Sequence, residues 1–182
     1  MKRIIWMLAA LAVLLGGAGA SRAAMVYVAG SGNEFGTLNL TTGAFTDIGT
    51  LNLPNGDNIY GMGFGADGNL YALDSSLPDA NLYRINTTNA QVTLVGSINE
   101  SAIDATTDAS GKMYALSQDT NAIFYTLTPP STTTTVVGST GIFSQGLAAV
   151  TADGTQLFTT TIDPTTATMI STASIRRRAL LR

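Results

Sequence analysis

Residues 66 to 74 read ADGNLYALD, and residues 109 to 117 read ASGKMYALS, 43 positions later. A looser third copy, ADGTQLFTT, occupies residues 152 to 160. Aligned on one aromatic residue, the copies and an earlier partial match are spaced 44, 43 and 44 residues apart, at Tyr27, Tyr71, Tyr114 and Phe158. A fixed period of about 20 to 50 residues is typical of repeat architectures. The recurring stretch therefore concerns the fold of the whole chain.

A second pattern lies between these copies, in which an apolar strand leads through a Thr-rich turn into a strand that ends at glycine. It reads FGTLNLTTGAFTDIG (35 to 49), LYRINTTNAQVTLVG (82 to 96) and FYTLTPPSTTTTVVG (124 to 138). The body is rich in β-branched residues and has no sustained helical period, so we predict an all-β fold. Each unit contains four short strands, named a to d, which in the second unit are Tyr60 to Gly65, Asn69 to Asp74, Leu82 to Asn86 and Gln91 to Gly96.

The link between strands a and b is Asp67-Gly68, with Ser110-Gly111 and Asp153-Gly154 in its place later. Asp-Gly between apolar runs is typical of a two-residue hairpin, in which a type I′ turn requires positive φ twice. We therefore predict antiparallel hairpins with type I′ turns at these positions.

Strand b is apolar on consecutive residues, as in Leu70 to Leu73, which predicts that both of its faces are covered. Strand a is dominated by small residues, as in Gly61 to Gly65, which allows backbones to approach closely. A repeat of four antiparallel strands with a crowded inner strand and this period is the pattern of β-propeller blades. Tyr71 and Tyr114 are accordingly predicted to lie in the core between blades, with their hydroxyls on polar partners, rather than in a stacking platform for sugars or bases.

The phrases G-x-x-x-x-A-D-G-x-L-Y-A-L-D (Gly61 to Asp74) and L-Y-R-I-N-T-T-N…V-T-L-V-G (Leu82 to Gly96) resemble those of secreted bacterial β-propeller repeat proteins, the NHL-like and YVTN-like group. The resemblance covers about residues 25 to 165. It implies a fold and no particular activity, because propellers serve as enzymes, binders and scaffolds.

The predicted strands amount to about three and a half blades, against about four to eight in known propellers. Three explanations stay open, namely a truncated member of the group, a ring completed by a homo-oligomer, and an open stack of blades. The sequence after Thr172 favours truncation, because no fourth strand d follows.

The chain contains no Cys and no His. This composition excludes disulfides, thiolate metal sites, a Ser-His-Asp triad and histidine-ligated zinc. Between residues 25 and 175 only Arg84 and Lys112 stand against twelve acidic residues. A body of that sign repels phosphate backbones, so we expect no nucleic-acid partner.

The first 23 residues show the order of a secretory signal peptide, with Lys2 and Arg3, an apolar run, and small residues before cleavage after Ala20 or, preferably, Ala23. An uncleaved anchor is the alternative. We therefore predict an exported protein, secreted or periplasmic, with no membrane span after cleavage. The predicted division is a signal peptide (1 to 23), a repeat domain (24 to 172) and a basic disordered tail (173 to 182).

Four antiparallel strands per blade place the b-to-c and d-to-a loops on one end, the loop face, and the tight a-to-b and c-to-d turns on the other, the turn face. Because binding usually lies on long loops of a rigid scaffold, we predict the site on the loop face. Its polar members would be Asp57, Asn58, Asp79, Glu100, Asp104, Asp119, Gln145 and Asp163. Oxygen ligands of this kind suit Ca²⁺, although acids in loops are more often solvated turn residues, so we expect no obligatory cofactor.

We predict a non-catalytic module that binds a protein or carbohydrate ligand or serves as a surface scaffold. The alternative is a calcium-dependent hydrolase of the lactonase or gluconolactonase kind, which would use loop carboxylates and a metal-bound water in place of His. Calcium binding would separate these two hypotheses.

Overall fold

The computed structural model describes residues 24–54, 57–102, 104–117, 122–140, 144–149, 156–162 and 169–176. The described residues form fourteen β-strands in four antiparallel sheets. Each sheet is one blade, and its strands follow one another in chain order. The predicted signal peptide, residues 1 to 23, lies outside the described residues.

The first two blades comprise strands β1 (Met25–Ala29), β2 (Glu34–Asn39), β3 (Phe45–Thr50), β4 (Ile59–Phe64), β5 (Leu70–Asp74), β6 (Asn81–Ile85) and β7 (Val92–Ser97). The next two comprise β8 (Asp104–Thr107), β9 (Met113–Leu116), β10 (Ile123–Leu127), β11 (Thr135–Ser139), β12 (Ser144–Ala149), β13 (Gln156–Ile162) and β14 (Met169–Arg176). Blade 1 holds β1 to β3, blade 2 holds β4 to β7, blade 3 holds β8 to β11, and blade 4 holds β12 to β14.

The predicted strand count is confirmed among the described residues. Strands b and c occur in all four blades, whereas strand a is described in blades 2 to 4 and strand d in blades 1 to 3. One boundary was wrong: β14 extends to Arg176, so residues 173 to 176 belong to a strand c and not to a disordered tail. Residues 177 to 182 lie outside the described residues.

The predicted type I′ turn between strands a and b was also wrong. Gly65 N–H donates to Asn69 O (2.9 Å), so three residues and not two connect the strands. Only Gly68 has positive φ there (77°), and Asp67 accepts the Asn69 N–H (3.1 Å). This is the arrangement of a hairpin whose turn is followed by a left-handed glycine. Gly111 (φ 80°) ends the corresponding turn of blade 3 in the same way.

Strand b contacts both neighbouring blades, as the consecutive apolar residues predict. In β5, Leu70 and Ala72 pack with Phe35 of blade 1, whereas Tyr71 and Leu73 join a cluster that includes residues of blade 3. Tyr71, Ala72 and Leu73 are all buried. The core therefore consists of layers between blades, and no blade has a core of its own.

The hydroxyls of Tyr71 and Tyr114 reach polar partners, as predicted, and in both cases the partner is a carboxylate. Tyr71 donates to Asp67 Oδ2 (2.8 Å), and Tyr114 donates to Asp108 Oδ2 (3.0 Å). Asp67 is four residues before Tyr71 in the sequence, whereas Asp108 is six residues before Tyr114. The two blades therefore make an equivalent contact from two different turn positions. The prediction that these tyrosines belong to the core between blades is confirmed.

The inner strands of neighbouring blades lie in direct contact. A Cβ at Gly61 of β4 would lie 2.6 Å from Ala105 Cα in β8, and a Cβ at Gly63 would lie 2.8 Å from Thr107 Cβ. Glycine is required at both positions because no side chain fits between these strands. The prediction that small residues allow close approach in strand a is confirmed.

Each outer strand carries a β-bulge next to a glycine, which explains why the second pattern ends in glycine. The register between strands c and d shifts after Phe35, Leu82 and Phe124, which pair with Gly49, Gly96 and Gly138. These three glycines, named here the bulge glycines, have φ between 153° and 159°. Such bulges increase the twist of a strand and interrupt its pairing.

Candidate functional site

The loop face contains the predicted site residues that lie outside strands. Asp57 and Asn58 follow β3, Asp79 lies between β5 and β6, and Glu100 lies between β7 and β8. Asp104 is the first residue of β8 and Gln145 is the second residue of β12, so both lie at the end of a strand a that meets the loop face. Asp119 and Asp163 lie outside the described residues.

The loop between β5 and β6 is fixed to the loops on both sides of it. Ser75 N–H donates to Asn58 O (3.1 Å), which ties the loop to the connection between blades 1 and 2. Ala80 N–H donates to Glu100 O (2.8 Å), and Ile98 N–H donates to Ala80 O (3.0 Å), which tie it to the connection between blades 2 and 3. Blade 2 therefore presents a loop that backbone hydrogen bonds hold in place on two sides.

Asp57 is brought together with Asp74 through one serine. Ser76 Oγ lies 3.0 Å from Asp57 Oδ2 and 2.8 Å from Asp74 Oδ2. Asn58 contributes its backbone carbonyl nearby, whereas the side chain of Asp79 is exposed. We name Asp57, Asp74, Ser76, Asn81 and Tyr83 the polar cluster.

Asp74 belongs to the polar cluster, although the sequence analysis did not identify it as a site residue. Its side chain is completely buried, and it accepts hydrogen bonds from Asn81 N–H (2.7 Å), Asn81 Nδ2 (3.0 Å) and Ser76 N–H (3.2 Å). A buried carboxylate requires such donors, because desolvation without them is costly. Its place as the last residue of β5, directly before the b-to-c loop of blade 2, was the available signal.

Blade 3 shows which part of this arrangement the fold alone requires. Ser117 stands in the repeat where blade 2 has Asp74, and its Oγ accepts the Ile123 N–H (2.7 Å) at the start of β10. A neutral hydroxyl is therefore sufficient to fasten strand c. The carboxylate of Asp74 adds a negative charge and a further acceptor, which face Ser76, Asn81 and the neighbouring blade.

Asn33 connects blade 1 to the polar cluster. Its Nδ2 donates to the backbone O of Asp57 (2.6 Å), and its backbone has a φ of 60°. Among the described residues, its buried Oδ1 has no hydrogen-bond partner. Asparagine tolerates the left-handed conformation better than most residues, which explains its presence at this position.

Tyr83 is the aromatic member of the polar cluster, and its side chain is buried. Burial raises the pKa of its hydroxyl to about 12, and the negative charge of Asp74, a hydrogen bond to Asp74 and the charge of Asp57 act in the same direction. Tyr125, its counterpart in blade 3, donates to Ser101 O (2.9 Å), and burial and then the charge of Glu100 raise its pKa as well. Both tyrosines stay neutral in the physiological range.

We expect Asp57→Asn to lower the pKa of Tyr83. Removing one negative charge near the hydroxyl makes the tyrosinate less unfavourable, so ionisation should begin at lower pH than in the unchanged protein. The measurement is a tyrosinate titration followed by NMR of ring-labelled tyrosine, with Asp47→Asn, an exposed acid on β3, as the control. An unchanged Tyr83 pKa in Asp57→Asn would contradict the proximity of the two groups.

The turn face has a cleft of its own. It has a volume of about 300 Å³ and is open to solvent. Its lining includes exposed Arg84 and Gln91 together with Asn69 and Asn86 from the turns of blade 2. No predicted site residue lines this cleft, and the polar cluster lies at the opposite end of the blade.

Within the described ranges, no group of three or more His, Cys, Asp or Glu side chains could hold a metal ion. The polar cluster contains two carboxylates, Asp57 and Asp74. The calcium-dependent hydrolase hypothesis would require further ligands beyond these two. In the same part of the chain, no helix has the length and apolar character needed to cross a membrane.

Consecutive antiparallel sheets of three or four described strands, packed face to face, define this chain as a propeller-type repeat protein. Solved propeller structures are similar to it. A nidogen/laminin complex matches with a TM-score of 0.55 and 14% identity, over 81% of this chain and 58% of that chain. A structural genomics protein of unknown function from Bacteroides thetaiotaomicron matches with a TM-score of 0.55 and 16% identity, over 74% and 41%.

An auxiliary nutrient binding protein from Bacteroides ovatus matches with a TM-score of 0.53 and 14% identity, over 83% of this chain and 38% of that chain. This chain thus spans between 38% and 58% of the length of these three structures. No protein-family model and no curated protein matches the sequence. At such low sequence identities the structural similarity establishes the propeller fold, and the function has to be argued from the residues of the site.

Proposed function

We propose that the chain is a non-catalytic binding module whose loop face recognises a protein segment rich in Lys or Arg. The observation that carries this proposal is the polar cluster, in which Asp57 and Asp74 converge on Ser76 at the junction of two blades. A preorganised loop bearing acidic groups suits a cationic partner, because complementary charges steer association and orient the partner.

The distribution of charged residues supports a positively charged partner. Asp79 lies in the loop between β5 and β6, and Asp57 and Glu100 lie in the two neighbouring loops. The basic residues of the described ranges lie toward the turn face, namely Arg84, Lys112 and Arg176. The carboxylate of Asp79 is exposed, and those of Asp57 and Glu100 are partly exposed. A ligand that reaches this face therefore meets negative groups on rigid backbone.

Two of the similar structures carry names that agree with a binding role. One is a nidogen/laminin complex, and another is an auxiliary nutrient binding protein. These names make recognition of a protein or of a small ligand a reasonable property of this fold. We further propose export of the protein, which rests on the signal-peptide pattern of residues 1 to 23. Completion of the ring by a homo-oligomer stays a prediction.

We expect a Lys- and Arg-rich peptide to shift the backbone amide NMR signals of Asn58, Ser76 and Asp79, and to leave Gly68 on the turn face unchanged. The double substitution Asp57→Asn with Asp79→Asn should weaken binding by about tenfold or more, because charge pairs across an interface contribute on that scale. Asp47→Asn is the matched control, since Asp47 is an exposed acid on the outer strand of blade 1.

A neutral oligosaccharide and heparin complete the comparison. Heparin should not bind the loop face, because it carries the same sign of charge as the acids there. If only the oligosaccharide shifts these signals, the ligand of the loop face is a carbohydrate and not a protein segment. The absence of shifts on the loop face with every probe would contradict the binding site.

A further inference from the structure

Arg84 is a cation at a repeat position that carries a hydroxyl residue in the other blades. The position is the residue of strand c that pairs with the aromatic residue of strand b. It is occupied by Thr37, Arg84, Thr126 and Ser174 in blades 1 to 4. The fold therefore requires only a small polar residue here, and the guanidinium of Arg84 is an addition that is specific to blade 2.

The charge of Arg84 is not used within the blade. Its side chain is exposed, and no acid in the described part of the chain forms an ion pair with it. Asp67, in the neighbouring turn, accepts Asn69 N–H (3.1 Å), Asn69 Nδ2 (2.7 Å) and the Tyr71 hydroxyl (2.8 Å) instead. Burial raises the pKa of Tyr71, the hydrogen bond to Asp67 and its negative charge act in the same direction, and the positive charge of Arg84 acts against them. The guanidinium thus lies near this hydroxyl and stays available to an anion.

The side chains around Arg84 give the cleft of the turn face a hydrogen-bonding lining. Asn86 Oδ1 accepts Thr88 N–H (2.9 Å) and the Thr88 hydroxyl (2.7 Å), which leaves the Asn86 Nδ2 as a donor. Gln91 adds an exposed amide, and Thr93, which pairs with Arg84, adds a hydroxyl. None of the described residues that line the cleft is acidic or aromatic. The lining therefore suits a polar anion better than an apolar or stacked ring.

We propose that this cleft binds a carboxylate that carries neighbouring hydroxyl groups, either a free sugar acid or a uronic acid residue of a polysaccharide. The planar guanidinium of Arg84 pairs with both carboxylate oxygens, because its fork of N–H donors matches their geometry. The amides of Asn86 and Gln91 bind the hydroxyls. The volume of about 300 Å³ lies at the lower end of the range for small-ligand sites, about 300–1,000 Å³, so one sugar-sized unit enters the cleft.

The cleft and the loop face are separate sites of opposite charge at the two ends of blade 2. The loop face carries Asp57 and Asp79, whereas the cleft carries Arg84. A cationic peptide and a sugar acid should therefore bind without competing. Either proposal can fail while the other stands.

Titration with galacturonate, followed by amide NMR at constant ionic strength, tests the ligand class. We expect shifts at Thr87, Gln91 and Thr93 and none at Ser76 on the loop face. Galactose lacks the carboxylate and acetate lacks the hydroxyls, so each should bind at least about tenfold more weakly. Equal affinity for galactose or for acetate would overturn the proposal. Tighter binding of trigalacturonate than of gluconate would assign the cleft to a polysaccharide, and the reverse order would assign it to a free sugar acid.

Arg84→Thr tests the residue, because it installs the side chain that blades 1 and 3 carry at this position. The fold should be retained, and galacturonate should bind about tenfold more weakly or worse, since hydrogen bonds to a charged group are lost. Arg84→Lys should have an intermediate effect, because it keeps the charge and loses the planar fork. Gln91→Ala, at an exposed position, should weaken binding by about threefold.

Lys112→Gln is the matched control for Arg84→Thr. It removes a positive charge from the turn face of blade 3, and Lys112 does not line the cleft. Its affinity for galacturonate should equal that of the unchanged protein. Binding that is insensitive to Arg84→Thr, or that falls equally with Lys112→Gln, would overturn the proposal.

Discussion

Gly61→Ala is expected to destabilise the protein by about 3 kcal/mol, which lowers the melting temperature by roughly 6–12 °C for a chain of this size. The added methyl would lie 2.6 Å from Ala105 Cα and closer still to the backbone N and O of that residue. Backbone cannot move aside as the end of a flexible side chain can, so blades 2 and 3 must separate. Urea denaturation measures the loss through the midpoint of the transition.

Gly43→Ala is the matched control for this substitution. Gly43 has a φ of 71°, and no described atom lies within 4 Å of a Cβ built there. The cost should be limited to the left-handed backbone, about 1–2 kcal/mol. Ala90 adopts a φ of 59° at the equivalent turn position of blade 2, so alanine is compatible with this turn. Equal losses for Gly61→Ala and Gly43→Ala would contradict the close packing of the inner strands.

Asp74→Ala is expected to destabilise the protein by about 4 kcal/mol. The substitution leaves the partly buried Asn81 and Ser76 donors without their acceptor, and a buried donor without a partner costs about 1–3 kcal/mol. Strand β6 would also lose its fastening to the end of β5. Thermal and urea unfolding measure the effect, and amide exchange at Asn81 locates it.

Asp74→Ser separates the structural part of this role from the part that carries charge. Ser117 fastens Ile123 in blade 3 with one hydroxyl, so a serine at position 74 should retain the bond to Asn81 N–H and lose roughly half as much stability as alanine. If serine and alanine are equally destabilising, the parallel between the two blades is wrong.

The fold could be predicted because each strand of a propeller blade has a recognisable local sequence pattern. The strands of the second unit were placed within one residue, from consecutive apolar residues such as Leu70 to Leu73 and from the glycines of strand a. The turn type could not be predicted in the same way, because Asp-Gly suits two kinds of hairpin. The choice depends on the pairing of Gly65 with Asn69 and on the carboxylate of Asp67.

The candidate site was predictable only in part. Asp57 could be proposed from its place in a loop, but its partner Asp74 belongs to a strand that reads as core. The burial of Asp74 depends on Asn81, seven residues later, and on a loop from the neighbouring blade. Such contacts arise from the stacking of blades, which leaves no periodic signal in the sequence.

The contacts of the bulge glycines also impose an order in time on the growing chain. Gly49 of blade 1 is covered by Ala90, and Gly96 of blade 2 by Thr132, so these two blades receive an edge contact from residues that the ribosome adds later. At about 5–20 residues per second, each outer edge waits on the order of 2–8 s for its cover. Synthesis from the N-terminus therefore completes the blades one after another, and the most recent blade is the one whose edge is open to other chains.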